Sequence, residues 1–114
     1  MSKTPQERYE EIKKEIIQIS ESYTIVKHGM KNKEHANYEK RHFTLLHIRL
    51  IELIKELNSM TAKQEINMSM IYKTMVNGLR RNLFENADKE YKKEALANKG
   101  SYDLLNEDIT DYLI

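Results

Sequence analysis

Apolar residues recur at intervals of three and four along most of this chain. From Phe43 the sequence places Leu46, Leu50, Leu53, Leu57 and Met60 at steps of three, four, three, four and three. A period of 3.5 keeps one helix face against a partner helix, and it predicts a long second helix over about 34–58. Ala36 opens the stripe, and Leu45, Ile48, Ile51 and Ile54 widen it, so this helix is expected to meet more than one neighbour.

A second seam precedes it. Tyr9, Ile12, Ile16, Ile19, Tyr23, Val26 and Met30 again alternate steps of three and four. Thr4 suits an N-cap, Pro5 suits the first helical position and Glu7 completes a capping box. With Gly29 as a stop, the spacing predicts a first helix over about 5–28. Lys31, Asn32 and Lys33 make a short link, which favours an antiparallel hairpin. Thr61 and Gln64 read as another capping box, predicting a tight turn at 58–60 and a third helix after it. That helix carries Met68, Ile71, Met75, Leu79 and Leu83 as its expected core face, widened by Tyr72 and Val76. Gly78 interrupts the run. It either lets another helix approach closely or weakens its own helix by about 1 kcal/mol relative to alanine.

After Phe84 the apolar content falls. Glu85 with Lys89 and Asp88 with Lys92 form acid-then-base pairs at i,i+4, which support a solvated helix. This stretch is read as a continuation of the third helix, kinked near Asn86, or as a short fourth helix. Asn98-Lys99-Gly100 is a stop signal. The last fourteen residues alternate acidic and apolar side chains, as one more helix capped by Ser101 or as a flexible arm. The predicted fold is all-α: an antiparallel bundle of three long helices over 1–100, the third extended or followed by a short fourth, with an acidic-hydrophobic tail over 101–114.

Composition narrows this further. Three glycines and one proline leave few tight turns for a many-stranded sheet. At 114 residues the chain can bury a core without metals or disulfides. The absence of cysteine excludes disulfides, thiolate zinc sites and cysteine nucleophiles, and fits a reducing compartment. The charged start MSKTPQERYEE has no apolar signal region, and no run is long enough to span a bilayer, so a cytoplasmic protein is expected.

The formal net charge of +1 hides an uneven distribution. Residues 1–100 hold 19 basic and 14 acidic side chains, a balance of +5, whereas 101–114 hold four acidic and no basic ones. An up-down-up arrangement gathers Lys27, Lys31, Lys33, Lys40, Arg41, Arg80 and Arg81 at one pole, a candidate surface for phosphates or nucleic acid. Glu85, Asp88, Glu90 and Glu94, interleaved with Lys89, Lys92 and Lys93, blunt the adjoining field. In the tail, Tyr102, Leu105, Asp108, Ile109 and Tyr112 are candidate contacts. They either pack across the bundle with the acids facing the basic pole or dock on another protein.

Chemical motifs are sparse. His35, Glu39 and His42 share one face of the second helix, and Glu39-x-x-His42 has the spacing used in di-iron bundles. The stretch resembles a hemerythrin helix. The second Glu-x-x-His, two further glutamates and that family's remaining histidines are absent, so a polar end to the seam is the plainer reading. Arg41 and His47 have the Arg-x(4–6)-His spacing of HEPN-type ribonucleases, although there the motif lies on a late helix and works across a dimer. His47 sits between apolar positions and reads as a core or interface histidine. There is no glycine-rich phosphate loop, no Gly-x-Ser-x-Gly elbow and no Cys/His pair. Met60, Met68, Met70 and Met75 fill a core or line an adaptable groove. No catalytic residue, cofactor or metal is assigned. The expectation is a non-enzymatic interaction module whose partner is another protein, homo-oligomeric and most simply a two-fold dimer. A nucleic-acid-associated regulator using the basic pole is the alternative.

Overall fold

The computed structural model describes residues 3–29 and 36–97. They form four helices and no strand: α1 (Pro5–Gly29), α2 (Ala36–Ala62), α3 (Met70–Asn86) and a short α4 (Lys89–Ala97). Met30, Lys31, Lys33, His35 and the tail residues Tyr102, Leu105, Asp108, Ile109 and Tyr112 lie outside the described residues.

The first helix follows its sequence signals closely. The Glu7 N–H donates to Thr4 Oγ1 at 3.2 Å, and the Thr4 hydroxyl donates to the Glu7 carboxylate at 3.0 Å, with Pro5 opening the helix. Tyr9, Ile12, Ile16, Ile19 and Val26 are buried, and Tyr23 packs against the same core. Helices α1 and α2 are antiparallel. Arg8 meets Glu56, Glu15 meets Arg49 and Tyr23 meets Phe43, the pairs advancing along α1 as they retreat along α2. Both ion pairs are forked, with guanidinium Nη2 donating at 2.9 Å to Glu56 and 2.8 Å to Glu15. Each half-exposed pair contributes little energy, but two of them discriminate against a slipped register.

On α2, Phe43, Leu50, Leu53, Leu57 and Met60 are buried and Leu46 is partly buried, as the 3.5-residue seam requires. Of the residues that widen the stripe, Ile51 and Ile54 are buried while Leu45 and Ile48 are exposed. His47, Ile51, Ile54 and Asn58 follow one another at steps of four, three and four and form a second buried face. His47 touches Phe84 of α3, so α2 is the central helix, with α1 on one side and α3 on the other.

Two boundaries differ from the sequence reading. Residues 58–60 are helical rather than a turn, and α2 runs on to Ala62. Thr61 does not cap a new helix; its hydroxyl donates back to the Leu57 carbonyl at 2.8 Å, as an interior helical threonine does. The real stop is Gln64, in the left-handed region at φ 59°. Its N–H donates to the Thr61 carbonyl at 2.9 Å, and the Glu65 N–H reaches the Met60 carbonyl at 2.9 Å. These two bonds define a Schellman motif, in which glycine is the usual occupant. The chain then crosses to α3 with Ile66 and Met68 buried. Ser69 is the actual N-cap, accepting from the Tyr72 N–H at 3.2 Å.

The third helix ends at Asn86 with Ala87 as its C-cap, and α4 is a separate short helix rather than a kinked continuation. Thr44 of α2 fixes the junction: its Oγ1 accepts the Asp88 N–H at 2.7 Å and donates to the Lys40 carbonyl at 2.9 Å. The Asp88 side chain then accepts the Glu90 N–H at 3.2 Å as α4 begins. The break separates Glu85 from Lys89, so the helical i,i+4 relation expected for them does not arise. Instead the Lys92 ammonium donates to the Glu85 carbonyl.

Candidate docking face on the third helix

The largest departure from the sequence reading is the rotation of α3. The expected core row was Met68, Ile71, Met75, Leu79 and Leu83. In the structure Ile71 is 85 % exposed and Met75 is 52 % exposed, Leu79 is partly buried and Leu83 is fully buried. A step of four residues overshoots a 3.6-residue turn by about 40°, so a row built of such steps spirals around the helix. This one begins in solvent and ends in the core. Met68, which anchored the row, precedes the N-cap and carries no helical phase into α3.

The inward face of α3 is correspondingly polar. Its buried residues are Lys73, Val76, Asn77, Arg80 and Leu83. Helix α3 therefore turns three long or amide side chains toward its neighbours and holds Ile71 and Met75 outward. An exposed isoleucine and methionine one turn apart are not used by the chain's own core. Met70, in the first turn, is exposed as well.

Beside Ile71 and Met75 runs a groove between α1 and α3, whose lining includes Tyr9, Glu10, Lys13 and Tyr72. Tyr9 and Tyr72 meet edge to face, 6.1 Å between centroids at 82°. The Lys13 ammonium lies 5.0 Å from the Tyr9 ring centre and 5.7 Å from that of Tyr72, and is 3.9 Å from the Glu10 carboxylate. Aromatic faces attract the ammonium, and Glu10 balances its charge, so the rim carries one acid and one base. Burial, followed by the nearby Tyr9 and Glu10, pushes the Tyr72 phenol above its ordinary range. Its hydroxyl is buried without a hydrogen-bond partner among the described residues.

A second cluster surrounds His47. This side chain is fully buried and packs against Phe84 (5.4 Å between centroids) and Tyr91 (5.7 Å). His47 Nδ1 and the Tyr91 hydroxyl are hydrogen-bonded at 2.9 Å, so the contact ties α4 to the centre of α2. Burial first, and the positive charge of Arg80 second, lower the imidazole pKa to about 4. The ring is therefore neutral at pH 7. Arg41 is exposed, about 120° around the helix from His47, so the two do not converge on one surface.

Of the expected basic pole, Lys31 and Lys33 lie outside the described residues. Lys27 and Arg81 are exposed, Lys40 is half-buried, and the Lys27 ammonium stands 5.6 Å over the Tyr23 ring. Arg80 is 5 % exposed and belongs to the interior face of α3, not to a solvent-facing patch. Glu39 is half-buried and His42 is exposed. Among the described residues no three His, Asp or Glu side chains are grouped to hold a metal ion, and no helix is long and apolar enough to cross a membrane.

Sequence reasoning missed the α3 face because Ile71 and Met75 carry the same signature as core residues. The available signal was the interleaved row Lys73, Asn77 and Arg80, which is inconsistent with a simple solvent face only once Val76 and Leu83 are known to be buried beside it. Compared with protein-family models, curated proteins and solved structures, the chain matches none, so its similarity to other proteins adds nothing to what the geometry supports.

Proposed function

We propose that this chain is a non-enzymatic protein-interaction module, an adaptor, inhibitor or regulator, that docks through the outer face of α3 and the adjoining α1–α3 groove. The observation that carries this reading is the orientation of α3, with Ile71 and Met75 outward while Lys73, Asn77 and Arg80 face inward. An apolar surface beside an aromatic-floored groove and bounded by polar residues is the chemistry that receives an apolar helix or segment of a protein. The tail residues Tyr102, Leu105, Asp108, Ile109 and Tyr112 provide a second contact in this reading, on the strength of their alternating acidic and apolar pattern alone. The nucleic-acid alternative draws on fewer solvent-facing cations than the sequence promised, because Arg80 is buried.

The test is affinity purification from the native host with wild type and with Ile71→Asp/Met75→Asp. Both substituted residues are exposed, so the variant keeps its fold, which circular dichroism checks. The expected result is loss of the co-purifying protein. An identical set of partners for a folded variant overturns this assignment of the docking face.

A further inference from the structure

Gly78 is unexplained by the packing of the described residues. It lies inside α3 with no positive φ, and among those residues a Cβ added there would meet nothing within 4 Å. An alanine inside a helix would be better by about 1 kcal/mol, so the glycine costs stability without serving a contact among the described residues. What it does is leave a recess on the surface of α3. Ile71, Met75, Gly78 and Asn82 follow at steps of four, three and four, so knob and recess share one outward seam.

We infer that α3 pairs with α3 of a second copy of this chain, antiparallel about a two-fold axis at Met75, so that Ile71 of each copy seats over Gly78 of the other. This rests on the reading of α3 as the docking face and names its occupant. Ile71 and Gly78 are two turns apart, about 10.5 Å along the axis, and Met75 lies near their midpoint. A two-fold axis there carries the knob of each chain onto the recess of the other, which is the self-complementarity an isologous interface requires. The groove rim holds one acid, Glu10, and one base, Lys13, so two copies bring no excess of like charge to it.

The experiment combines sedimentation equilibrium with disulfide trapping on the full chain. Gly78→Leu fills the recess without a clash inside its own chain and is expected to weaken self-association at least about tenfold, while raising or preserving the unfolding temperature. The exchange Ile71→Gly/Gly78→Ile moves knob and recess to each other's positions and is expected to restore association to within about threefold of wild type, since the same two-fold still matches them. The chain has no cysteine, so single cysteines report geometry directly. An equimolar mixture of Ile71→Cys and Gly78→Cys is expected to form the mixed disulfide in preference to either homodimer. A wild type that stays monomeric, a dimer indifferent to Gly78→Leu, or preferential Ile71→Cys homodimers would each overturn the inference. If wild type is monomeric yet Ile71→Asp/Met75→Asp still abolishes capture of another protein, the second copy falls and the docking face stands.

Discussion

Three residues illustrate how single side chains set local behaviour. His47 is neutral and buried, with its pKa near 4 against 6.5 for an ordinary histidine. The unfolded chain therefore takes up a proton at this position before the folded chain does. The stabilisation is complete above pH 6.5, is lost progressively as pH falls through 6.5 to 4, and amounts to about 3 kcal/mol over that range. Urea midpoints at pH 7 and pH 4.5 should fall steeply for wild type and less for His47→Phe, which lacks the titrating ring. Glu15 and Glu56, held below the usual carboxylate range by hydrogen bonds from Arg49 and Arg8, add acid sensitivity of the same sign in both proteins. An equal slope for the variant would show that His47 is not the buried proton acceptor. Gln64 holds a left-handed conformation usually taken by glycine. Gln64→Gly relieves that strain and should raise stability by about 0.5–1 kcal/mol despite the freer unfolded chain. Ser69→Ala removes the α3 cap and should lower it by about 1 kcal/mol. Thermal unfolding of the two variants, with opposite shifts expected, checks both.

At the scale of elements, legibility depended on whether local signals and tertiary packing agreed. In α1, the Thr4 cap, the Pro5 start and the seam through Val26 all point one way, and the helix follows them. In α2 the seam was legible but its end was not. Thr61 has the residue type of a cap yet bonds back to Leu57, and the true stop uses a glutamine, for which no sequence rule signals a left-handed residue. In α3 the row from Ile71 to Leu83 was legible as apolar but not as a spiral, because its orientation depends on where the helix starts. That start is set by Ser69, after Ile66 and Met68 have packed into the core. The rotation gives a sharp contrast in mutational cost. Ile71→Gln and Met75→Gln should each change stability by less than about 0.5 kcal/mol. Leu83→Ala, at a fully buried site, should cost about 2–5 kcal/mol. Denaturant titration at low protein concentration makes the comparison, and equal costs would mean that α3 is turned the other way.

Across the whole molecule, the same rotation underlies the proposed docking face. Helix α2 supplies two buried faces, α1 is held in register by two forked ion pairs, and α4 is fastened through Thr44–Asp88 and His47–Tyr91. Among the described residues, helix α3 combines a polar inner row with an apolar outer seam and a glycine that no neighbouring group there needs. The candidate site was only half legible for this reason: Gly78 reads in the sequence either as a point of close helix approach or as a weak point of its own helix, and among the described residues nothing lies within 4 Å of a Cβ placed there. Sedimentation equilibrium of wild type beside Ile71→Asp tests the central claim most directly. The outer seam of α3 as an interface between copies requires wild type at twice the 13.6 kDa of one chain and Ile71→Asp at 13.6 kDa. Equal masses for the two proteins would contradict it.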